Sequence, residues 1–296
     1  MQDANKTTKT QGMMLGAITG DVIGSHYEFN NTKEYDFTLF CEDSSFTDDS
    51  LMTVAVAHWL MNDKRLTYQG LEDAMLLFGL KHKYPKGGYG GGFRVWLLQP
   101  EALKAYDPKY GKSPYKSKTG RHPYGSNGNG SAMRVSAVGW FFDTLEKTER
   151  VAAKTAKITH NSPDGIKGAQ ATAAAIYLAR TGKSKEEIRD YIEKKYHYDL
   201  HKTYDYWHPI YKWESSCQGT VPQAIICFLD SKDYVDAIRK AVSLGGDSDT
   251  LACITGGIAE AFYGPLHPYL QDRVLPLLPK DLKDTLTQFS AYQKDH

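Results

Sequence analysis

With 296 residues, the chain is long enough for one large domain or two ordinary ones. Its 41% hydrophobic and 24% charged residues suit a soluble globular protein, and a formal net charge of +1 without a dense basic block argues against nucleic acid as a partner. The polar start has no signal-peptide core and no apolar run approaches a bilayer span, so the expected setting is away from membranes, in the reducing cytoplasm.

In chain order, residues 1–10 are expected to form a disordered tail, and residues 11–296 a single domain. Gly12, Gly16, Gly20 and Gly24 recur every fourth position among apolar residues. On a helix this makes a stripe without side chains, against which a second helix can pack closely. A polar turn containing Glu28 follows. Helical patterning then recurs over 51–60, 66–84, 132–142, 149–158, 165–179, 185–196, 221–229, 234–243 and 251–262. The charges of 183–202 mix both signs and read as a solvated helix face. Strand-like alternation is nearly absent, so the fold class is all-α. Two long loops interrupt the helices, a glycine-rich one at 86–93 and another at 100–130, and loops of this length commonly carry function. Cys41, Cys217, Cys227 and Cys253 show no metal-type spacing; Cys227 and Cys253 lie in apolar runs, as buried structural thiols do.

Two short acidic stretches stand out, about two hundred positions apart. Thr47-Asp48-Asp49-Ser50 opens the apolar segment 51–60, and Asp247-Ser248-Asp249-Thr250 opens 251–262. Either alone is explained by helix capping, since Ser, Thr and Asp are preferred N-caps and acids suit the first turn. Together they offer more acceptors than capping uses, at the mouths of two helices apolar enough to be central. At an effective dielectric near 20, like charges about 4 Å apart repel by roughly 4 kcal/mol. Four such carboxylates stay ionised only beside cations. The ligands are all oxygens, which suits Mg²⁺, Mn²⁺ or Ca²⁺ and not zinc. Capping and a cation site both remain open on pattern alone.

Three further stretches could touch a ligand. Gly125-Ser126-Asn127-Gly128 and the residues after it form a glycine-rich entry to a helix, able to hold an anion or merely to turn. It lacks the Lys and Ser/Thr of a Walker loop. His160 lies in a loop between helices, either at a ligand or exposed in a capping turn. Gln218 and Gly219 belong to a segment that is a site or simply a turn, with Thr220 capping the next helix.

In this order the segments resemble the ADP-ribosylglycohydrolase family, the group that includes the dinitrogenase-reductase-activating glycohydrolases. The matching residues are 16–21 with Gly24 and Glu28, 46–49, 128–134, Thr159-His160 and 245–250, and the likeness runs from about residue 11 to 264. It implies a single-domain orthogonal helical bundle holding two divalent cations, Mg²⁺ or Mn²⁺. Thr47, Asp48 and Asp49 would hold one ion, Asp247 and Thr250 the other, with Asp249 bridging. Glu28 would be the acid or base near the departing atom, with Asp48 the rival for positioning the attacking water. Gly125, Ser126, Asn127 and Gly128 would cradle a pyrophosphate through their amides, His160 would touch the phosphate or distal ribose, and Gln218 and Gly219 would lie near adenosine. Asn127 stands where some relatives carry an aromatic residue.

The activity implied is hydrolysis of the glycosidic bond between ADP-ribose and an acceptor on a protein, nucleobase or small molecule, by a monomer acting on an ADP-ribosylated substrate. A non-catalytic ADP-ribose-binding or structural protein on the same scaffold is the alternative, and a metal-dependent nucleotide phosphohydrolase a third reading.

Overall fold

The computed structural model describes residues 14–105 and 113–295; the expected tail at 1–10 and Gly12 lie outside them. Among the described residues there are fourteen α-helices and no strand, only an isolated bridge between Gly128 and Ser216. The helices are α1 (Leu15–Gly24), α2 (Asp48–Asn62), α3 (Tyr68–Lys81), α4 (Gly91–Leu98), α5 (Ser136–Phe141), α6 (Leu145–Lys157) and α7 (Pro163–Arg180). They continue with α8 (Lys185–Tyr196), α9 (Tyr204–Trp207), α10 (Cys217–Leu229), α11 (Tyr234–Ser243), α12 (Ser248–Tyr263), α13 (Pro268–Val274) and α14 (Lys280–Asp295). None is long and apolar enough to cross a membrane.

The centre is α12. It is buried from Ser248 to Ala261 and packs against α1, α7, α10 and α11, while α2 packs against α3, α5 and α14. The glycine stripe sets the closest contact. A Cβ on Gly20 would lie 2.0 Å from the Ala252 carbonyl oxygen, and one on Gly24 would lie 2.5 Å from the Asp249 Cα. No side chain fits between α1 and α12, which is why α1 can bring Asp21 and the turn after it up to the start of α12. Glu260, buried on α12, accepts a hydrogen bond from the Gly16 amide at 2.8 Å and locks the far end of the pair. The buried apolar residues form one connected cluster.

The structure departs from the pattern-based elements in several places. The glycine loop is shorter than expected, because α4 begins at Gly91. Of the stretch 132–142 only Ser136–Phe141 is helical, as α5, and a separate 3₁₀ turn, Asn129–Ser131, precedes it. Between them the Met133 carbonyl accepts from Thr53 Oγ1 at 3.2 Å and Cys253 Sγ at 3.4 Å, so this backbone bonds to α2 and α12 rather than continuing a helix. Helix α10 starts at Cys217, capped by Ser216, whose side chain accepts from the Gly219 amide at 3.1 Å. Thr220 is therefore inside the helix and caps nothing. Helices α4, α9, α13 and α14 have no counterpart among the expected helices.

Candidate active site

The first acidic mouth is built from within. Thr47 is the N-cap of α2 and accepts from the Asp49 amide at 3.2 Å. Asp21 is fully buried and accepts from the Thr47 amide at 3.0 Å, Thr47 Oγ1 at 2.7 Å, the Ser50 amide at 3.1 Å and Ser50 Oγ. Burial raises the Asp21 carboxyl above its ordinary range, with these donors opposing the shift. The clamp orients the first turn of α2, leaving Asp48 and Asp49 to face the interior space.

The second mouth is different. Asp247 occupies the N-cap position of α12, yet its side chain makes no capping hydrogen bond. Its Oδ2 instead accepts from Asn129 Nδ2 at 2.7 Å, and Asn129 Nδ2 also donates to Thr220 Oγ1 at 3.1 Å. The capping explanation thus accounts for Thr47 and fails for Asp247. The two mouths meet, with Thr250 Oγ1 donating to Asp49 Oδ2 at 3.4 Å.

Glu28 joins them from the turn after α1. Oxygens of Glu28, Asp247 and Asp249 all lie within 4.8 Å of one another, a grouping able to hold a metal ion. Gly87, at φ +74°, passes so close that a Cβ there would sit 2.4 Å from Glu28 Oε2. Three buried carboxylate oxygens in this space have no hydrogen-bond partner: Glu28 Oε2, Asp49 Oδ1 and Asp249 Oδ1. Orphaned buried acceptors are costly in a native protein and call for an explanation such as an ion.

The electrostatics point the same way. Burial, then the Asp21, Asp48 and Asp247 charges, holds the Asp49 carboxyl well above the usual carboxylate range. Asp48 is raised by burial and by Asp21, Asp247 and Glu28, and Asp249 by burial and by Asp247, Asp49, Glu28 and Asp21. Asp247 is raised by burial, against hydrogen bonding to Asp249, Asn129 and Thr250. Glu28 is pushed up to about 7 by burial and the charges of Asp247 and Asp21, with Lys86 pulling the other way. These shifts are what carboxylates crowded without a counterion must show. The donors are hard oxygens, so the residues fit Mg²⁺ or Mn²⁺.

Above this floor opens a cavity of about 570 Å³. Glycine-rich backbone from Gly87 to Gly92, with Tyr89 and Phe93, lines one part, and Tyr124, Ser126, Gly128 and His160 another. At the rim, the exposed rings of Phe29 and Trp213 stack 5.7 Å apart with 17° between their planes.

Of the residues expected to bind substrate, Ser126, Gly128 and His160 line the cavity; Gly125, Asn127, Gln218 and Gly219 are not among its lining residues. The amide cradle needs correction. Gly125 N–H donates to Asn161 Oδ1 at 2.8 Å and Gly128 N–H to Ser126 Oγ at 3.0 Å, so both amides are already spent within the protein. Asn127 offers its carbonyl to the Cys217 amide at 2.8 Å. Gln218, exposed, donates through Nε2 to Asp164 Oδ1 at 2.7 Å, and a Cβ on Gly219 would meet Glu214 Cγ at 1.8 Å, so Gly219 is packed against Glu214 at the α10 start. His160 is 5% exposed, which overturns the exposed-loop alternative. Burial, reinforced by the Arg134 charge, drives its imidazole well below the ordinary value and keeps it neutral.

Pattern reading had not placed Asp21, Asn129 or Arg134 at the site. Asp21 and Asn129 each hold a mouth residue, and Arg134 lines the cavity from a position 1% exposed. The usable signal was a buried Asp on an otherwise apolar glycine-striped helix, because burying a charge demands partners.

An all-helical scaffold on which distant acidic helix starts converge defines the class. The family model for ADP-ribosylglycohydrolase matches residues 2–291, and the chain belongs to that family. Among individual proteins it is similar to ADP-ribosylhydrolase ARH3 of Homo sapiens, 26% identical with 88% of this chain and 87% of the relative covered. It is also similar to a putative ADP-ribosyl glycohydrolase, L543, of Acanthamoeba polyphaga mimivirus, 25% identical over 86% and 87% of the two chains. A solved structure titled ADP-ribosylglycohydrolase-related protein complex superposes with a TM-score of 0.66 at 19% identity, covering 96% of this chain and 95% of the other, and shares the fold.

Proposed function

We propose that this protein is a metal-dependent ADP-ribosylhydrolase that cleaves the bond between the anomeric carbon of ADP-ribose and an acceptor atom. The observation that carries the reading is the trio of orphaned carboxylate oxygens on Glu28, Asp49 and Asp249 at the foot of the cavity. In this reading Thr47, Asp48 and Asp49 would hold one Mg²⁺ or Mn²⁺ and Asp247 and Thr250 a second, with Asp249 serving both. Bound there, such ions supply Lewis-acid polarisation and a template for the ribose hydroxyls.

The protein's own groups divide the elements of water. Glu28, with its carboxyl pushed up to about 7, is about half protonated at neutral pH, and in that form it delivers a proton to the acceptor as the glycosidic bond breaks. Asp48 takes a proton from the water whose oxygen bonds to the anomeric carbon. The positive charge developing on that carbon is favoured by the surrounding carboxylates. Ser126 and neutral His160 seat the diphosphate by hydrogen bonding. A volume of about 570 Å³ lies within the range of small-molecule sites. The single domain, the cytoplasmic setting and the monomer expected from sequence belong to this proposal.

The test is incubation with arginine-, serine- and nucleobase-linked ADP-ribose, with and without Mg²⁺ or Mn²⁺. Cation-dependent release of free ADP-ribose from at least one class is expected. Release from none contradicts the reading, and release of phosphate instead points to a phosphohydrolase.

A further inference from the structure

The turn bearing Glu28 and the turn bearing Asp247 are 219 positions apart in sequence, and one surface side chain ties them together. Asn31 Oδ1 accepts from the Gly246 amide at 2.7 Å. Its Nδ2 donates to the Gly246 carbonyl at 2.9 Å, the Tyr27 carbonyl at 2.6 Å and the Glu28 carbonyl at 2.9 Å. The carboxamide therefore grips both polar groups of the residue directly before Asp247, and it also grips the carbonyl of Glu28. Its orientation is unambiguous, because three of its contacts are carbonyl oxygens and demand donors.

Gly246 adopts φ +79° and Gly245 φ +78°, a left-handed pair that leaves the peptide turned toward Asn31. Lys33, two residues further on, fastens the same turn. Its Nζ donates to the carbonyls of Leu244 at 2.6 Å, His208 at 2.7 Å and Tyr211 at 3.2 Å. Glu28 and Asp247 lie in irregular backbone and at a helix cap, so helix geometry does not set their separation. The Asn31 side chain joins the two turns directly.

We propose that Asn31 is a positioning residue for cation binding, holding the Glu28 turn against the Gly246–Asp247 turn so that the Asp247 carboxylate is aimed at the ion it would share with Asp249. This rests on the metal-dependent reading above. Outer residues that orient metal ligands are commonly worth about 10–100-fold in affinity.

The experiment is Mn²⁺ titration by calorimetry of the whole protein, with its melting temperature recorded in parallel. Wild type is compared with Asn31→Ala, Asn31→Asp and the control Tyr35→Phe. Tyr35 anchors the same segment through Asp236 Oδ1 without touching Gly246. Asn31→Ala is expected to weaken Mn²⁺ by about 10-fold or more, and Tyr35→Phe to leave it unchanged. Asn31→Asp is the stringent arm and serves also where the alanine variant fails to fold. By charge alone it should tighten a nearby cation, so weaker binding reports lost geometry. Unchanged affinity in Asn31→Ala, or tighter binding in Asn31→Asp, overturns the brace while leaving the ion site standing. A wild type that binds no Mn²⁺ sinks the ion site and the brace with it.

Discussion

The two acidic mouths are chemically alike and are built in opposite ways. At the start of α2, Thr47 caps its own helix and Asp21 reaches in from the adjoining α1 to bind two amides and two hydroxyls. At the start of α12, Asp247 caps nothing and is aimed by Asn129, while the glycine turn before it is held by Asn31 and Lys33. The first mouth is locked by the core and the second is steered by loops. Damage to the first should therefore appear largely as lost stability, and damage to the second as lost ion affinity in a protein that still folds.

The strongest way to break this comparison is at the carboxylate between the mouths. Asp249→Ala removes the proposed shared ligand, and steady-state assays at saturating Mg²⁺ should show turnover abolished, with Mn²⁺ binding weakened by more than the roughly 100-fold upper end for outer residues. Near-normal activity would mean that the mouths do not share an ion.

Next in size is Glu28→Gln, which keeps shape and removes the proton. Turnover should drop by about 10²–10⁴-fold, the usual worth of a general acid or base, with ADP-ribose affinity changed far less. Equal losses in Mn²⁺ affinity and turnover would recast Glu28 as chiefly an ion ligand, a role its place beside Asp247 and Asp249 allows.

Asn129→Ala sharpens the contrast. It removes the donor to Asp247 and should reduce Mn²⁺ affinity about 10–100-fold. Asp21→Asn, at the other mouth, should act first on the melting temperature, because an amide cannot accept from four donors.

The smallest expected effect is the pH dependence of stability. Asp48, Asp49 and Asp249 have carboxyls raised in the folded protein, while the unfolded chain titrates near 4. The folded state then binds more protons, so this contribution to stability is fully present below about pH 4 and is lost as pH rises through the raised values. Cations replace those protons. The rise in melting temperature on adding Mn²⁺ should be larger at about pH 8 than at about pH 5, by several degrees in calorimetry at large excess over Kd.

Features that depend on local spacing were legible in the sequence. The glycine stripe announced a close helix–helix contact because only backbone can approach so closely, though not that α12 is the partner, and the acidic pairs stood out against apolar helices. The α14 spacing Leu282, Leu286, Phe289 carried the same kind of signal and could have been read; all three are buried. What depended on distant partners was not legible. The Gly125 and Gly128 amides look free in a glycine-rich string, yet Asn161 and Ser126 consume them. His160 could be read as an exposed loop residue, yet in its loop between α6 and α7 it is buried and feels the Arg134 charge. Likewise, nothing near Asn31 in sequence hints at Gly246.

The convergence of the mouths on shared cations is tested most directly by anomalous scattering from crystals grown with Mn²⁺. Two peaks are predicted, both within coordination distance of Asp249, with Asp49 on one and Asp247 on the other. No peak in the cavity, or peaks bound by neither Asp49 nor Asp249, would contradict it.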